Sequence, residues 1–274
     1  MSIKRVVVTN WLLQGGGSAG PVIMLLKYYG IEVLEDFMDK DRWDTYKKDL
    51  DWGQLPIYTV EYVEGTIPDK DDKLVLPGSV STLRLMGGMF NFYSNNMNKL
   101  SRYEIDKWIE LGNNCLKTIY PCMLLKGEEK DDALEEISDE GGRLYKWFER
   151  FDKKLGKMYE EFDSNVEKEV ETEEAKKEVE TEEVKTMFLV DDRISIADFH
   201  FFSTIVTIIS GRYDVISAVF LLDFENVKRW YDDFLIHFKN KLNSIPVKKH
   251  DYPFIVHNGR YYVHGKDQTK FWGN

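Results

Sequence analysis

The chain opens on alternating blocks of β-branched and helix-periodic residues. Arg5-Val6-Val7-Val8-Thr9-Asn10 is a β-branched run closed by a turn-former and predicts a first strand. A glycine-rich stretch, 15–20, leads to Pro21 at a helix-start position and the apolar set Val22, Leu25, Leu26 and Tyr29. Gly30 stops that helix, and Ile31-Glu32-Val33-Leu34 starts a second strand. A β-α-β opening of this kind makes a parallel pair with a right-handed crossover. Residues 41–50 carry helical stretches, and Gly53-Gln54-Leu55-Pro56-Ile57-Tyr58 enters a third strand. Pro56 stands at that entrance, where a missing donor is tolerated and a cis bond is admissible. Leu74-Val75-Leu76 predicts a fourth strand after a charged hairpin loop at 67–73, and Ser79 opens an amphipathic helix through Leu83 and Met86. The order β-α-β-α-β-β-α predicts an α/β sandwich with one mixed sheet.

From about residue 100 the period becomes helical throughout. Ile105, Trp108, Ile109, Leu111 and Cys115 repeat at helix spacing, as do Leu144, Trp147, Phe148, Phe151 and Leu155. Ser195 with Asp198 three residues on, ahead of an apolar run, is a capping pattern, and a last helix is expected near 226–241. The break between 93 and 100 divides the chain into an α/β domain, 1–93, and an all-α domain, 100–250, with an acidic insert at 163–186. Within the insert, KEVETEEAK at 168–176 is repeated as KEVETEEVK at 177–185. Two copies do not make a solenoid, and the charge density favours a solvated helix or disordered segment. The tail, 251–274, holds Tyr252, Phe254, Tyr261, Tyr262, Phe271 and Trp272, and its aromatic content predicts that part of it packs on the body.

Composition narrows the function classes. Hydrophobic residues are 43% and aromatic residues 14% of the 274, as in a folded globular protein. The formal net charge of -11 opposes a nucleic-acid groove. No apolar run is long enough for a bilayer span, and residues 1–5 are not followed by the apolar stretch of a secretory leader. The two cysteines, Cys115 and Cys122, suit a reducing compartment, so a cytoplasmic protein is expected with no membrane and no nucleic-acid partner.

Candidate chemistry is sparse. Gly15-x-Gly17-x-x-Gly20 between a strand and a helix, with Glu35 or Asp36 beyond, has the form of a dinucleotide fingerprint, but Trp11-Leu12-Leu13-Gln14 separates the strand from the glycines and Pro21 follows them. A glycine-rich turn at a helix N-terminus is the simpler reading. There is no CxxC and no Ser/His/Asp arrangement, and His250, His257 and His264 lack the partners of a metal site, so no metal is expected.

Several motifs in order carry a resemblance. Trp43-Asp44-Thr45-Tyr46-Lys47, Trp52-Gly53-Gln54-Leu55-Pro56, Gly78-Ser79 with Arg84, the Ala19-Gly20-Pro21 helix start and the capping pattern at 192–198 resemble the glutathione transferase superfamily, most of all its sigma, alpha, mu and pi group. The resemblance covers about residues 3–245 and implies a thioredoxin-like domain followed by an all-α domain. It implies glutathione as co-substrate, a small hydrophobic electrophile as its acceptor, and a homodimer. In the implied site the cysteinyl backbone of glutathione pairs with Leu55, the γ-glutamyl carboxylate meets Ser79 at a helix N-terminus, Trp43 and Lys47 take the glycyl carboxylate, and Gln54 adds a polar contact. Asp106 falls where some members reach the glutathione of a partner subunit.

The sequence departs from the family at the sulfur. A tyrosine, serine or cysteine just after the first strand stabilises the thiolate in these enzymes, whereas this chain offers only Thr9 or, by a shifted geometry, Ser18 as a catalytic hydroxyl. The usual Gln or Glu before the serine is Gly78. Two readings therefore stand: a glutathione transferase acting on a small electrophile, and a non-catalytic protein of the same fold that has lost its catalytic tyrosine.

Overall fold

The computed structural model describes residues 3–11, 14–50, 52–63, 73–93, 98–173, 186–210, 216, 218–244, 262–263 and 266–267. Strand β1 (Ile3–Trp11) is followed by a 3-10 turn (Gln14–Ala19), helix α1 (Gly20–Tyr29), β2 (Glu32–Met38) and α2 (Lys40–Tyr46). Then come β3 (Ile57–Tyr62), β4 (Lys73–Pro77) and α3 (Ser79–Met89). The helical half comprises α4 (Lys99–Lys117), α5 (Glu128–Ser138), α6 (Arg143–Glu173), α7 (Ile196–Ile209) and α8 (Glu225–Ser244). The sheet order is β2-β1-β3-β4, with β1 and β2 parallel and the other pairs antiparallel. This is the mixed sheet and the α/β-then-α order that the sequence pattern predicts.

The sheet's buried face is set by register. Val6 pairs with Val60 and Val8 with Tyr58, and all four are essentially inaccessible. With Val22, Ile23 and Leu26 of α1 and Leu83 and Met86 of α3 they form part of one core. Helix α1 has Lys27 as its only charge, and eight of its ten residues are buried. A helix without a polar face has to be covered on all sides. The sheet and α3 cover one side, and α7 covers another through the edge-on contact of Tyr28 with Phe199 at 5.3 Å.

Helix α7 is the centre of the helical half, with all fourteen residues buried. Against it α4 approaches closely at Gly112, where a Cβ would lie 2.9 Å from His200 Nδ1, so no larger residue fits without displacing the ring. The His200 imidazole is held neutral by burial, its pKa lowered to about 4. The expected cap is present in full. The Ser195 hydroxyl accepts from Ala197 N–H, and Asp198 accepts from Ser195 N–H at 2.8 Å, Ser195 Oγ at 3.0 Å and Leu189 N–H at 2.8 Å. Helix α8 is capped from outside its own segment: Asp152 of α6 accepts from the N–H groups of Asn226 and Val227 at 2.7 and 3.0 Å. Farther along, Arg229 of α8 forks onto Asp163 of α6 at 2.8 Å and lies over the Tyr159 ring, whose hydroxyl donates to Asp233.

The first part of the acidic insert, to Glu173, continues α6; its remainder, 174–185, the hairpin loop at 67–73 up to residue 72, and almost all of the aromatic tail lie outside the described residues. Ser79 is the first residue of α3, and Gly78 holds the cap position at φ 86°, a conformation that favours glycine.

Two predictions follow from these caps. Burial raises Asp198 from 3.8 to about 6 against the pull of its hydrogen bonds, so between those values the folded chain keeps a proton that the unfolded chain has released. The group's contribution to stability therefore declines as pH rises through that window. Asp198→Ala is expected to cost about 2–4 kcal/mol by orphaning buried donors, with a larger loss at pH 4 than at pH 7 in urea titrations. Asp152→Ala removes the acceptor of α8's first turn and is expected to lower unfolding free energy by about 1–2 kcal/mol in urea titrations.

Candidate functional site

Strand direction gathers the chain's recognition segments at one end of the sheet. β1 and β2 run parallel and finish there, β3 runs opposite and starts there, and β4 returns to finish there. Register draws Asp36, Thr9, Ile57 and Pro77 into one row across all four strands. The row is about 15 Å wide at normal strand spacing. Immediately beyond it lie the turn before α1, the segment bearing α2, the cis Leu55–Pro56 bond and the start of α3.

The cis bond is fixed in this row. Leu55 lies just before β3, outside both of its ladders, which begin at Ile57, so its backbone stands beyond the sheet's own pairing. The Pro56 carbonyl accepts from Gly78 N–H at 3.1 Å, which ties the cis turn to the start of α3. Glycine suits this position through its φ of 86°, and a Cβ there would also stand 3.2 Å from Ser81 Oγ. Helix α3 has no side-chain cap and no acidic residue in its first turn. Its leading N–H groups and the helix dipole therefore favour an anion.

On the far side of the row, Trp43 projects from α2 and meets Trp11 edge-on at a 5.7 Å centroid separation. Its backbone N–H donates to the Asp39 carbonyl, which leaves the indole N–H as the donor it can offer. Lys47, at the end of α2, pairs with Asp44 in an exposed ion pair. Such a pair is weak enough to exchange for a ligand carboxylate. The register and topology thus bring Thr9, Ser18, Trp43, Lys47, Gln54, Leu55 and Ser79 to one end of the sheet.

The two hydroxyls at the sulfur end differ in their engagement. Thr9 is buried and donates to Asp36 Oδ2 at 3.5 Å. Ser18 is exposed in the turn just before α1. Asp106 stands apart on α4, where it accepts from Arg84 Nε at 3.0 Å and from the Tyr93 hydroxyl at 2.9 Å. Both its oxygens are engaged within the chain, joining α3 to α4 and the segment between them.

Three participants are not visible from sequence motifs. Asp36 and Arg42 form a two-pronged ion pair beside Thr9, and Trp11 supplies the ring against Trp43. Asp36 stands out in the sequence only as the acidic residue after a glycine run, and Arg42 only as the neighbour of Trp43. The glycine run itself forms the 3-10 turn before α1, and Glu35 faces Lys27 at 3.8 Å. Among the described residues no group of three or more His, Cys, Asp or Glu could hold a metal ion, and no helix is long and apolar enough to cross a membrane. The three histidines of the tail lie outside the described residues.

Comparison with known proteins agrees with this architecture. Residues 150–236 match the family described as "Glutathione S-transferase, C-terminal domain". No curated protein matches the chain in sequence. Among solved structures, the sigma-class glutathione S-transferase of Fasciola hepatica is similar with a TM-score of 0.61 and 16% identity, over 89% of this chain and 98% of that one. Prostaglandin synthase D of Nilaparvata lugens gives 0.56 and 15%, over 89% and 100%. The monomeric glutathione S-transferase Na-GST-3 of the hookworm Necator americanus gives 0.57 and 16%, over 89% and 99%. The chain therefore has the fold of the glutathione transferase superfamily, and its helical half carries the sequence signature of that superfamily's C-terminal domain.

Proposed function

We propose that this protein binds glutathione across the end of its sheet and adds the glutathione thiolate to a small hydrophobic electrophile. The observation that carries the reading is the pairing of the cis Leu55–Pro56 turn with the uncapped N-terminus of α3 through the Gly78 to Pro56 hydrogen bond. A backbone segment just beyond the strand ladders and a helix start that favours an anion, tied together by that bond, suit a peptide with a carboxylate at its γ-glutamyl end. In this reading Leu55 pairs with the cysteinyl backbone and Ser79 receives the γ-glutamyl carboxylate. The Trp43 indole and Lys47 take the glycyl carboxylate, and Gln54 adds a contact beside Gly78. The reaction asks little of the protein: the thiol loses its proton, a carbon–sulfur bond forms, and a leaving group departs or a double bond is saturated. Hydrogen-bond donors near the sulfur and the dipole of α1 both favour the thiolate.

Of the two hydroxyls, Ser18 is the better donor to the sulfur, since it is exposed at the α1 start while Thr9 is committed to Asp36. The commitment of Thr9, with no tyrosine on β1, also favours the second reading, a binding protein of this fold without efficient turnover. A cytoplasmic setting accords with Cys115 and Cys122, which are buried free thiols. A homodimer would use the exposed apolar side chains Leu85 and Met89 on α3 with Leu100 and Tyr103 on α4, and light scattering that returns twice 32.2 kDa would support it.

Calorimetric titration with glutathione and turnover of an aryl halide on the same sample test the proposal. Saturable binding is expected, and Ser79→Ala should weaken it about five- to tenfold by removing a charge-assisted hydrogen bond. Ser18→Ala should lower kcat by about tenfold or more, with Thr9→Ala within about twofold of the unaltered protein. Binding without turnover would move the function to the second reading, and no binding would reject the site assignment and leave only the fold.

A further inference from the structure

We propose that Arg42, through its ion pair with Asp36, is the positioning residue that sets recognition of the glycyl end of the ligand; this rests on the glutathione reading above. Helix α2 is only seven residues long, with Trp43 at its middle and Lys47 as its C-cap. None of its described side chains is fully buried, and it packs extensively only on the short turn that follows it. A seven-residue helix with so little apolar cover is not self-supporting, because helix nucleation is costly and short helices depend on tertiary contacts.

Arg42 provides the attachment. Its Nη1 donates to the Phe37 carbonyl at 2.6 Å, and its Nη2 donates to Asp36 Oδ1 and Oδ2 at 2.9 and 3.3 Å. Its own backbone N–H donates to Asp39 Oδ1, the cap of α2, at 2.8 Å. An isolated exposed ion pair would contribute little. Here the planar guanidinium spans a carbonyl and a carboxylate of β2 at once, which fixes direction as well as distance. Asp36 is itself held in the four-strand row and receives the Thr9 hydroxyl, so the attachment runs from the sheet to α2. Trp43 is the next residue after Arg42, and Lys47 lies little more than one helical turn beyond. Rotation of α2 about its axis would move both away from the row, and the Arg42 fork opposes that rotation.

A structural role alone would weaken every ligand alike; a positioning role for the glycyl end is selective. The test compares glutathione with γ-glutamylcysteine, which lacks the glycyl carboxylate, by calorimetry on the full chain. The unaltered protein should prefer glutathione. In Arg42→Ala, circular dichroism and γ-glutamylcysteine affinity should be unchanged, and glutathione affinity should fall about five- to tenfold, erasing the preference. Asp36→Asn should lose part of the preference, and Arg42→Lys should recover part of it, because an ammonium cannot span both acceptors. A preference that survives Arg42→Ala and Asp36→Asn in folded protein would overturn the proposal and leave the glutathione site standing. An equal loss of both ligands in both variants would also overturn it. Failure of the unaltered protein to bind either ligand would overturn the site reading and this proposal with it.

Discussion

Helix α7 is buried along its whole length, so the N–H groups of its first turn have no water to bond to. The Ser195 hydroxyl at the cap takes the Ala197 N–H and the Phe92 carbonyl takes that of Ile196, while Asp198 reaches back to the N–H groups of Ser195 and Leu189 and so fixes the incoming chain. Everything else in the helical half is arranged round that apolar column. Helix α4 comes close through Gly112, α8 packs rings from Trp230 and Phe234 against Phe201 and Phe202, and α1 of the α/β half lays Tyr28 on Phe199. Because α1 and α7 both lack a polar face, each serves as the other's cover, and the two halves share one core.

That shared core matters to the site because it immobilises α1, and with α1 the end of the sheet on which the recognition segments converge. Strand direction and register do the assembling. Four segments far apart in sequence reach one row because β1 and β4 end where β3 begins. The row places the cis Leu55–Pro56 turn near the helix start at Ser79, and the hydrogen bond from Gly78 to Pro56 links the two. By contrast α2 is attached by polar contacts on the surface, so its placement depends on side-chain geometry where that of α3 depends on the sheet.

In the proposed site, the sulfur end is where this chain departs from the pattern that its family resemblance implies. The hydroxyl on the strand is turned to a carboxylate already paired with an arginine, and a carboxylate partner draws the hydroxyl proton away from any neighbouring thiolate. Asp106 shows the same principle in another place. Its position along the chain suggests a residue reaching outward, yet Arg84 and Tyr93 occupy both oxygens.

The sequence by itself determined what depends on neighbours along the chain. Apolar period marked β1, α1, α7 and α8, Gly30 and Ser195 marked ends, and Pro56 marked a strand entrance with a cis bond, because backbone sterics and capping act over three or four residues. The motif residues Trp43, Lys47, Gln54, Leu55 and Ser79 were legible for the same reason, as spaced local signatures. Only the tertiary structure decided which partners those residues meet. That Asp152 caps a helix 74 residues away, that Asp36 takes both Thr9 and Arg42, and that Asp106 meets Arg84 and Tyr93 follow from strand register and helix packing. No local pattern encodes such pairings, since a carboxylate on a helix or strand reads the same whether it faces water, a ligand or another residue's donor.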